Sequence, residues 1–239
     1  MAGQGSRGED EHAASERWPL LDRDRFEELV AEALASTDSR ESVHEALLEH
    51  AAPEICGEVG FARLTVEELV SRSGSNRDRL YRAFGGKDGC YLAGYRTGID
   101  ELVDRVLAAG AQAPDWPAGM RRALEELAWF IETEPLLARA LVAEPWAAGA
   151  EALGKRYEVF ERLSRAIDRA RRERGSSRHA PPPITSDFIL SGIEAEILRS
   201  LRIGPVSADE AVAAMLYVAV LLYFGPEAAR DEVARIGAD

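Results

Sequence analysis

The sequence predicts an all-α protein in two parts, a segment of short helices followed by a larger helical bundle. Three observations carry this expectation. Apolar residues recur at i, i+3, i+4 and i+7 in segment after segment from residue 22 to residue 224. Gly, Pro and Ser/Thr/Asn signals punctuate those segments. No alternating strand pattern or βαβ unit competes with them. The 239 residues, 46% hydrophobic and 30% charged, fit one large or two small domains of an ordinary soluble globular protein.

Residues 1–17 are polar and rich in Gly, Ser and Glu, and bury too little to order themselves. Phe26, Leu29, Val30, Ala33 and Leu34 then form an amphipathic stripe over 22–36, broken at Ser36-Thr37-Asp38-Ser39. Ser42 with Glu45 is a capping box. It opens a helix to about Glu58 with Val43, Leu47 or Leu48, Ala51, Ile55 and Cys56 inward. Pro53 lies inside this helix, so a kink or a fresh start is expected there. Gly60 is the stop.

Thr65 with Glu68 is a second capping box. It opens a short helix with Val66, Leu69 and Val70 inward, ending at Gly74. Asn76 is a good N-cap for the next helix, which carries Leu80, Tyr81 and Phe84 and ends at Gly85-Gly86. Lys87-Asp88 opens a long helix with Tyr91, Leu92, Tyr95, Ile99, Leu102, Val106 and Leu107 inward. Two short helices joined by a glycine turn, flanked by longer ones, have the helix-turn-helix spacing.

The remainder reads as helices over 118–133, 134–143, 146–174, 184–203 and 208–224. Met120, Leu124, Leu127 and Ile131 line the first, and Leu153, Tyr157, Phe160, Leu163 and Ile167 the third. Gly175–Pro183 is a proline-rich loop. Ser207 with Glu210 caps the last helix, which is apolar nearly all round and is expected to be buried on every side. Its partner is a second subunit, through a four-helix interface with 184–203, or the core of a monomer. The apolar run 211–224 is too short to span a bilayer, and Met1–Trp18 lacks a signal core, so neither membrane insertion nor export is expected.

Charge then separates the two parts. The chain carries 29 Lys+Arg against 42 Asp+Glu, net −13. Between Ser71 and Lys87 stand Arg72, Arg77, Arg79, Arg82 and Lys87 against the one acid Asp78. That window carries +4 and leaves −17 on the other 222 residues. A local basic element on an acidic background is what a DNA-facing surface needs. A solvated helix face with long basic side chains is the plainer reading of the same residues.

The segment Ala51–Tyr95, AAPEICGEVGFARLTVEELVSRSGSNRDRLYRAFGGKDGCYLAGY, resembles the DNA-binding domain of TetR-type regulators. The matching positions are Gly60-Phe61, Thr65, Ser73-Gly74, Leu80-Tyr81, Phe84 and Lys87-Asp88. The resemblance implies a three-helix helix-turn-helix DNA-binding domain over 41–95 and a helical ligand-binding and dimerisation bundle over 96–239, with 1–40 as an extension. It implies that Thr65 caps the second helix and holds a phosphate, Asn76 caps the recognition helix, and Tyr81 and Lys87 bind the DNA backbone. Base reading then falls to Ser75, Arg77, Arg79 and Arg82. Leu64, Ser75, Asp78, Arg79 and Ala83 depart from the family's usual residues, and Pro53 is a further departure. Asp78 accepts from a cytosine, pairs with Arg82, or is a plain first-turn acid favoured by the helix dipole.

In the bundle, Trp129, Phe130, Trp146, Tyr157, Phe160 and Glu194 are candidate pocket residues. Glu194 falls inside the apolar arc of Leu190, Ile193, Ile197, Leu198 and Leu201. It is therefore expected to orient a ligand or to bond an Arg or Tyr across the subunit interface. The basic run Arg169, Arg171, Arg172, Arg174 reads as a solvated helix end. No catalytic constellation is expected: HExxH, GxSxG, P-loop and GxGxxG are absent, and Glu41-x-x-His44 stands alone among His12, His44, His50 and His179. Cys56 and Cys90 read as core thiols of a reducing, cytoplasmic compartment, with neither metal nor cofactor expected.

The sequence thus predicts a homodimeric, DNA-binding transcription regulator, released from a palindromic operator by a small-molecule effector. The alternative is a helical ligand-binding or scaffold protein whose helix-turn-helix has lost DNA affinity.

Overall fold

Ten α-helices follow one another in the described residues of the computed structural model, which are 37–175, 181–204 and 207–236. They are α1 (Thr37–Val59), α2 (Val66–Ser73), α3 (Arg77–Phe84), α4 (Lys87–Ala111), α5 (Trp116–Thr133), α6 (Pro135–Val142), α7 (Ala150–Arg174), α8 (Thr185–Ile203), α9 (Ala208–Phe224) and α10 (Pro226–Val233). Short 3-10 turns occupy Phe61–Arg63 and Glu144–Trp146. The stripe expected over 22–36 lies outside the described residues, as do most of the loop before α8 and Pro205.

Two elements start elsewhere than the sequence predicts. α1 begins at Thr37, so Ser42 lies within it rather than at its start. Ser, Thr and Asp clusters start helices as readily as they break them. Pro53 does not end α1 either. Ala51, Ala52, Ile55 and Cys56 around it are all buried, and that packing outweighs the bond proline removes. α7 begins at Ala150 rather than Trp146, because Pro145 and Trp146 belong to a 3-10 turn.

The chain divides into two compact units. One comprises the described residues up to Ala52 with Leu64–Gly94, and the other Pro53–Arg63 with the residues from Tyr95 onward. In the first, Leu48, Leu64, Leu69, Leu80, Cys90 and Tyr91 are fully buried. The Cys90 thiol donates to the Leu48 carbonyl at 3.3 Å. Burial, with the Glu49 charge, pushes that thiol up to about 12, which makes it an inert core group.

The second unit is built on α9. Val212, Met215, Leu216, Ala219, Val220 and Tyr223 pack with residues of α5, α8 and α10. Trp116 and Tyr223 meet edge to face at 5.0 Å, and the Trp116 indole N–H donates to the Ile167 carbonyl at 3.2 Å. Within the single chain, α9 leaves Val218 and Leu222 exposed. The inward set of α7 also differs from the expected stripe: Ala152 and Val159 are its buried residues, and Tyr157 is 58% exposed.

The basic end of α7 is more than a solvated terminus. Nη1 of Arg174 donates to the carbonyls of Gly110, Ala111 and Ala113 at 3.2–3.3 Å, satisfying the C-terminal end of α4. The Arg171 guanidinium sits 5.4 Å from the centre of the Tyr223 ring.

Candidate functional site

The helix-turn-helix is set by its caps and its two buried leucines. The Thr65 side chain accepts from the Glu68 N–H at 3.2 Å and starts α2. The Ser73 hydroxyl donates back to the Leu69 carbonyl at 2.6 Å. Gly74 then turns the chain at φ 62°, in the left-handed region where a side chain would be strained. The Asn76 side chain accepts from the Arg79 N–H at 3.0 Å and starts α3. Gly85, at φ 72°, donates its N–H to the Tyr81 carbonyl at 3.0 Å and ends it. Leu69 and Leu80 fix the inner faces of α2 and α3 with no exposed surface.

That register leaves Asn76, Arg77, Asp78, Tyr81 and Arg82 exposed and Arg79 half-buried. Tyr81 is 53% exposed, a large ring presented to solvent. The predicted contact residues are not equivalent, however. Arg77 forms an ion pair with Glu67 of α2, a partner that charge counting inside 71–87 could not reveal. The Ser75 hydroxyl is buried and makes no hydrogen bond among the described residues, so it is not presented for reading. Lys87 donates from Nζ to the Leu64 carbonyl at 3.0 Å, which ties the start of α4 to the residue before the Thr65 cap.

A second feature lies inside the larger unit. Two adjacent apolar lobes of about 410 and 130 Å3 sit among α4, α5, α6, α7 and α8. Val106, Leu127, Leu163, Leu190 and Ile193 line both lobes and form the waist between them. The larger lobe lies within the usual range for small-molecule sites, about 300–1,000 Å3.

Of the six residues expected at a pocket, only Phe160 and Glu194 line it, both in the smaller lobe. Phe130 is fully buried core. Trp146 and Tyr157 are exposed. Trp129 lies under the Arg105 guanidinium, 5.4 Å from its ring centre. Helical periodicity marked the aromatic residues but not the helix face that fronts the cavity.

Glu194 does not need a second subunit to be paired. Arg156 of α7 holds it with two hydrogen bonds, Nε to Oε1 at 2.8 Å and Nη2 to Oε2. The same guanidinium stacks 4.3 Å from the centre of the Trp146 ring. Tyr95 closes this end of the smaller lobe, and burial pushes its hydroxyl up to about 12. Among the described residues, no group of His, Cys, Asp and Glu could hold a metal ion, and no helix is long and apolar enough to cross a membrane.

Residues 48–93 match the model of bacterial regulatory proteins of the tetR family. No curated protein matches the chain. Solved structures with a similar fold include three regulators. A TetR family transcription regulator from Marinobacter aquaeolei VT8 is 20% identical, with 76% of this chain and 96% of that one covered at a TM-score of 0.59. SmeT, the repressor of the Stenotrophomonas maltophilia multidrug efflux pump SmeDEF, is 16% identical, with 75% and 89% covered at 0.62. FadR from Bacillus subtilis, solved in complex with stearoyl-CoA, is 14% identical, with 75% and 97% covered at 0.62. At these identities the similarity is one of fold. Residues 48–93 are thus similar to the bacterial regulatory proteins of the tetR family, and the chain has the all-helical fold of TetR-family transcription regulators.

Proposed function

We propose that this chain is a cytoplasmic, homodimeric DNA-binding regulator, a repressor released from a palindromic operator when a small molecule enters the apolar cavity. The observation that carries the reading is the face that α3 presents after a doubly capped turn, with Asn76, Tyr81 and Arg82 exposed and Arg79 half-buried beside them. Arg donors read guanine edges and Tyr and Lys donors position the backbone. Arg77 joins them once its pair with Glu67 opens. Thr65 and Lys87 serve first as architecture at the starts of α2 and α4; the one Thr65 O–H donates to Glu68 Oε2 at 3.1 Å, so a phosphate would bind there by displacing that carboxylate.

Dimerisation is supported by the apolar groups that α8 and α9 leave exposed, Phe188, Val218 and Leu222 among them. A two-fold dimer would set two α3 helices one DNA turn apart, about 34–36 Å. α4 gives Cys90 and Tyr91 to the core of the first unit and Tyr95, Ile99 and Leu102 to the cavity wall of the second. It is therefore the element through which occupancy would be coupled to DNA affinity. The similar structures bind or control different things, so they do not transfer an effector.

Arg79→Ala should weaken binding to a selected operator by about 1–3 kcal/mol and relax specificity at one position. Tyr81→Phe should cost about 1 kcal/mol without changing specificity. Fluorescence anisotropy with labelled duplex reads both. If neither variant changes affinity, this face does not bind DNA. The second reading, a helical ligand-binding protein without DNA affinity, has the Arg77–Glu67 pair in its favour, since that pair removes one cation from the face.

A further inference from the structure

The two lobes of the cavity differ in chemistry. The smaller lobe is lined only by buried and half-buried residues. Its charges, Arg156 and Glu194, neutralise each other, and both Glu194 oxygens are taken. It offers an apolar seat and no open charge. The larger lobe opens where Ala108 and Ala111 of α4 and Arg169 and Glu173 of α7 are exposed. Arg174, also at that rim, is engaged by the last two carbonyls of α4 and that of Ala113 just beyond it. Arg169 makes no hydrogen bond or ion pair among the described residues. Two cations against one acid give the rim a net positive charge.

We infer that the cavity takes a single-chain amphiphile, an unbranched apolar chain with an anionic head. The chain runs from the larger lobe through the waist toward the smaller one, and the head stays at the rim beside Arg169. This rests on the reading of the cavity as the effector site. A long-range cation at the rim favours an anion over an amine of the same length. Apolar walls make each added methylene favourable, while the finite room of the two lobes limits the length.

The test is calorimetric binding of a series of saturated monocarboxylates, each held below its self-association concentration, alongside the primary amines of equal chain length. Affinity for the carboxylates should rise about fourfold per methylene and then level off. The amines should bind more weakly at every length. Arg169→Glu, a surface change that leaves the fold intact, should reverse the preference between the two heads. Leu127→Trp, which fills the waist, should shorten the chain at which affinity levels off. Binding that ignores chain length, amines equal to carboxylates, or an unchanged preference in Arg169→Glu overturns the inference. DNA retention by the same preparation separates the two claims. Operator binding without carboxylate binding sinks the amphiphile and leaves the regulator, whereas length-dependent carboxylate binding without DNA retention does the opposite.

Discussion

Glu232→Ala should lower stability by about 3–5 kcal/mol, the cost of breaking a buried ion pair from one side. Glu232 is 3% exposed and accepts from Nε of Arg121 at 2.9 Å and Nη1 of Arg235 at 2.7 Å. Arg121 is itself buried and also donates to Glu125 at 3.1 Å. Removing Glu232 leaves that guanidinium in a low-dielectric site without its buried counter-charge. The pair joins α10 to α5, so α10 should loosen from the core of α9. Thermal denaturation should show the loss as roughly 6–20 °C in a domain of this size. The double variant Arg121→Met with Glu232→Leu should recover most of it, because a well-packed apolar pair avoids desolvating two charges. A loss below about 1 kcal/mol for Glu232→Ala would mean that water reaches Arg121.

Gly57→Ala should destabilise by about 2 kcal/mol, although alanine is the better helix former. A Cβ at Gly57 would fall 2.1 Å from the carbonyl oxygen of Leu136 and 2.6 Å from its carbonyl carbon. Those are backbone atoms at the start of α6 and cannot swing aside. The propensity gain of about 1 kcal/mol is therefore smaller than the cost of forcing α1 and α6 apart. The neighbouring Phe61 N–H donates to Glu144 Oε2 at 2.8 Å, and Arg139 also bonds that carboxylate, so separation would strain these contacts too. Gly154→Ala is the control. Gly154 lies inside α7 with open space around its Cβ direction, so the same change should stabilise by up to about 1 kcal/mol. Denaturant melts of the two variants should move in opposite directions; movement in the same direction would refute the close-approach argument.

The short helices were legible because their information is local. Thr65, Gly74, Asn76 and Gly85 each act on groups within four residues, and the structure uses all four as read. The cavity was less legible because its walls come from four and more helices, and no spacing within one helix says which face meets which. Glu194 was conspicuous as a carboxylate in an apolar arc, but its partner Arg156 lies 38 residues away in the chain. Arg174 and Arg121 were hidden for the same reason: basic residues at a helix end or on a helix side look solvated until the acceptors they meet are known. Arg77 shows the limit of charge counting. The +4 window holds, but one of its cations is committed to Glu67, just outside it.

The acidic background sharpens what DNA binding by this chain must look like. Negative charge outside 71–87 repels phosphates, so affinity has to come from few contacts in strict orientation. The most direct test is selection of genomic fragments by the purified chain at low salt, followed by salt titration of the best site. The account predicts enrichment of a palindrome and an affinity that falls with salt along a shallow slope, reflecting few phosphate contacts per subunit. Failure to enrich any sequence at low salt would contradict it.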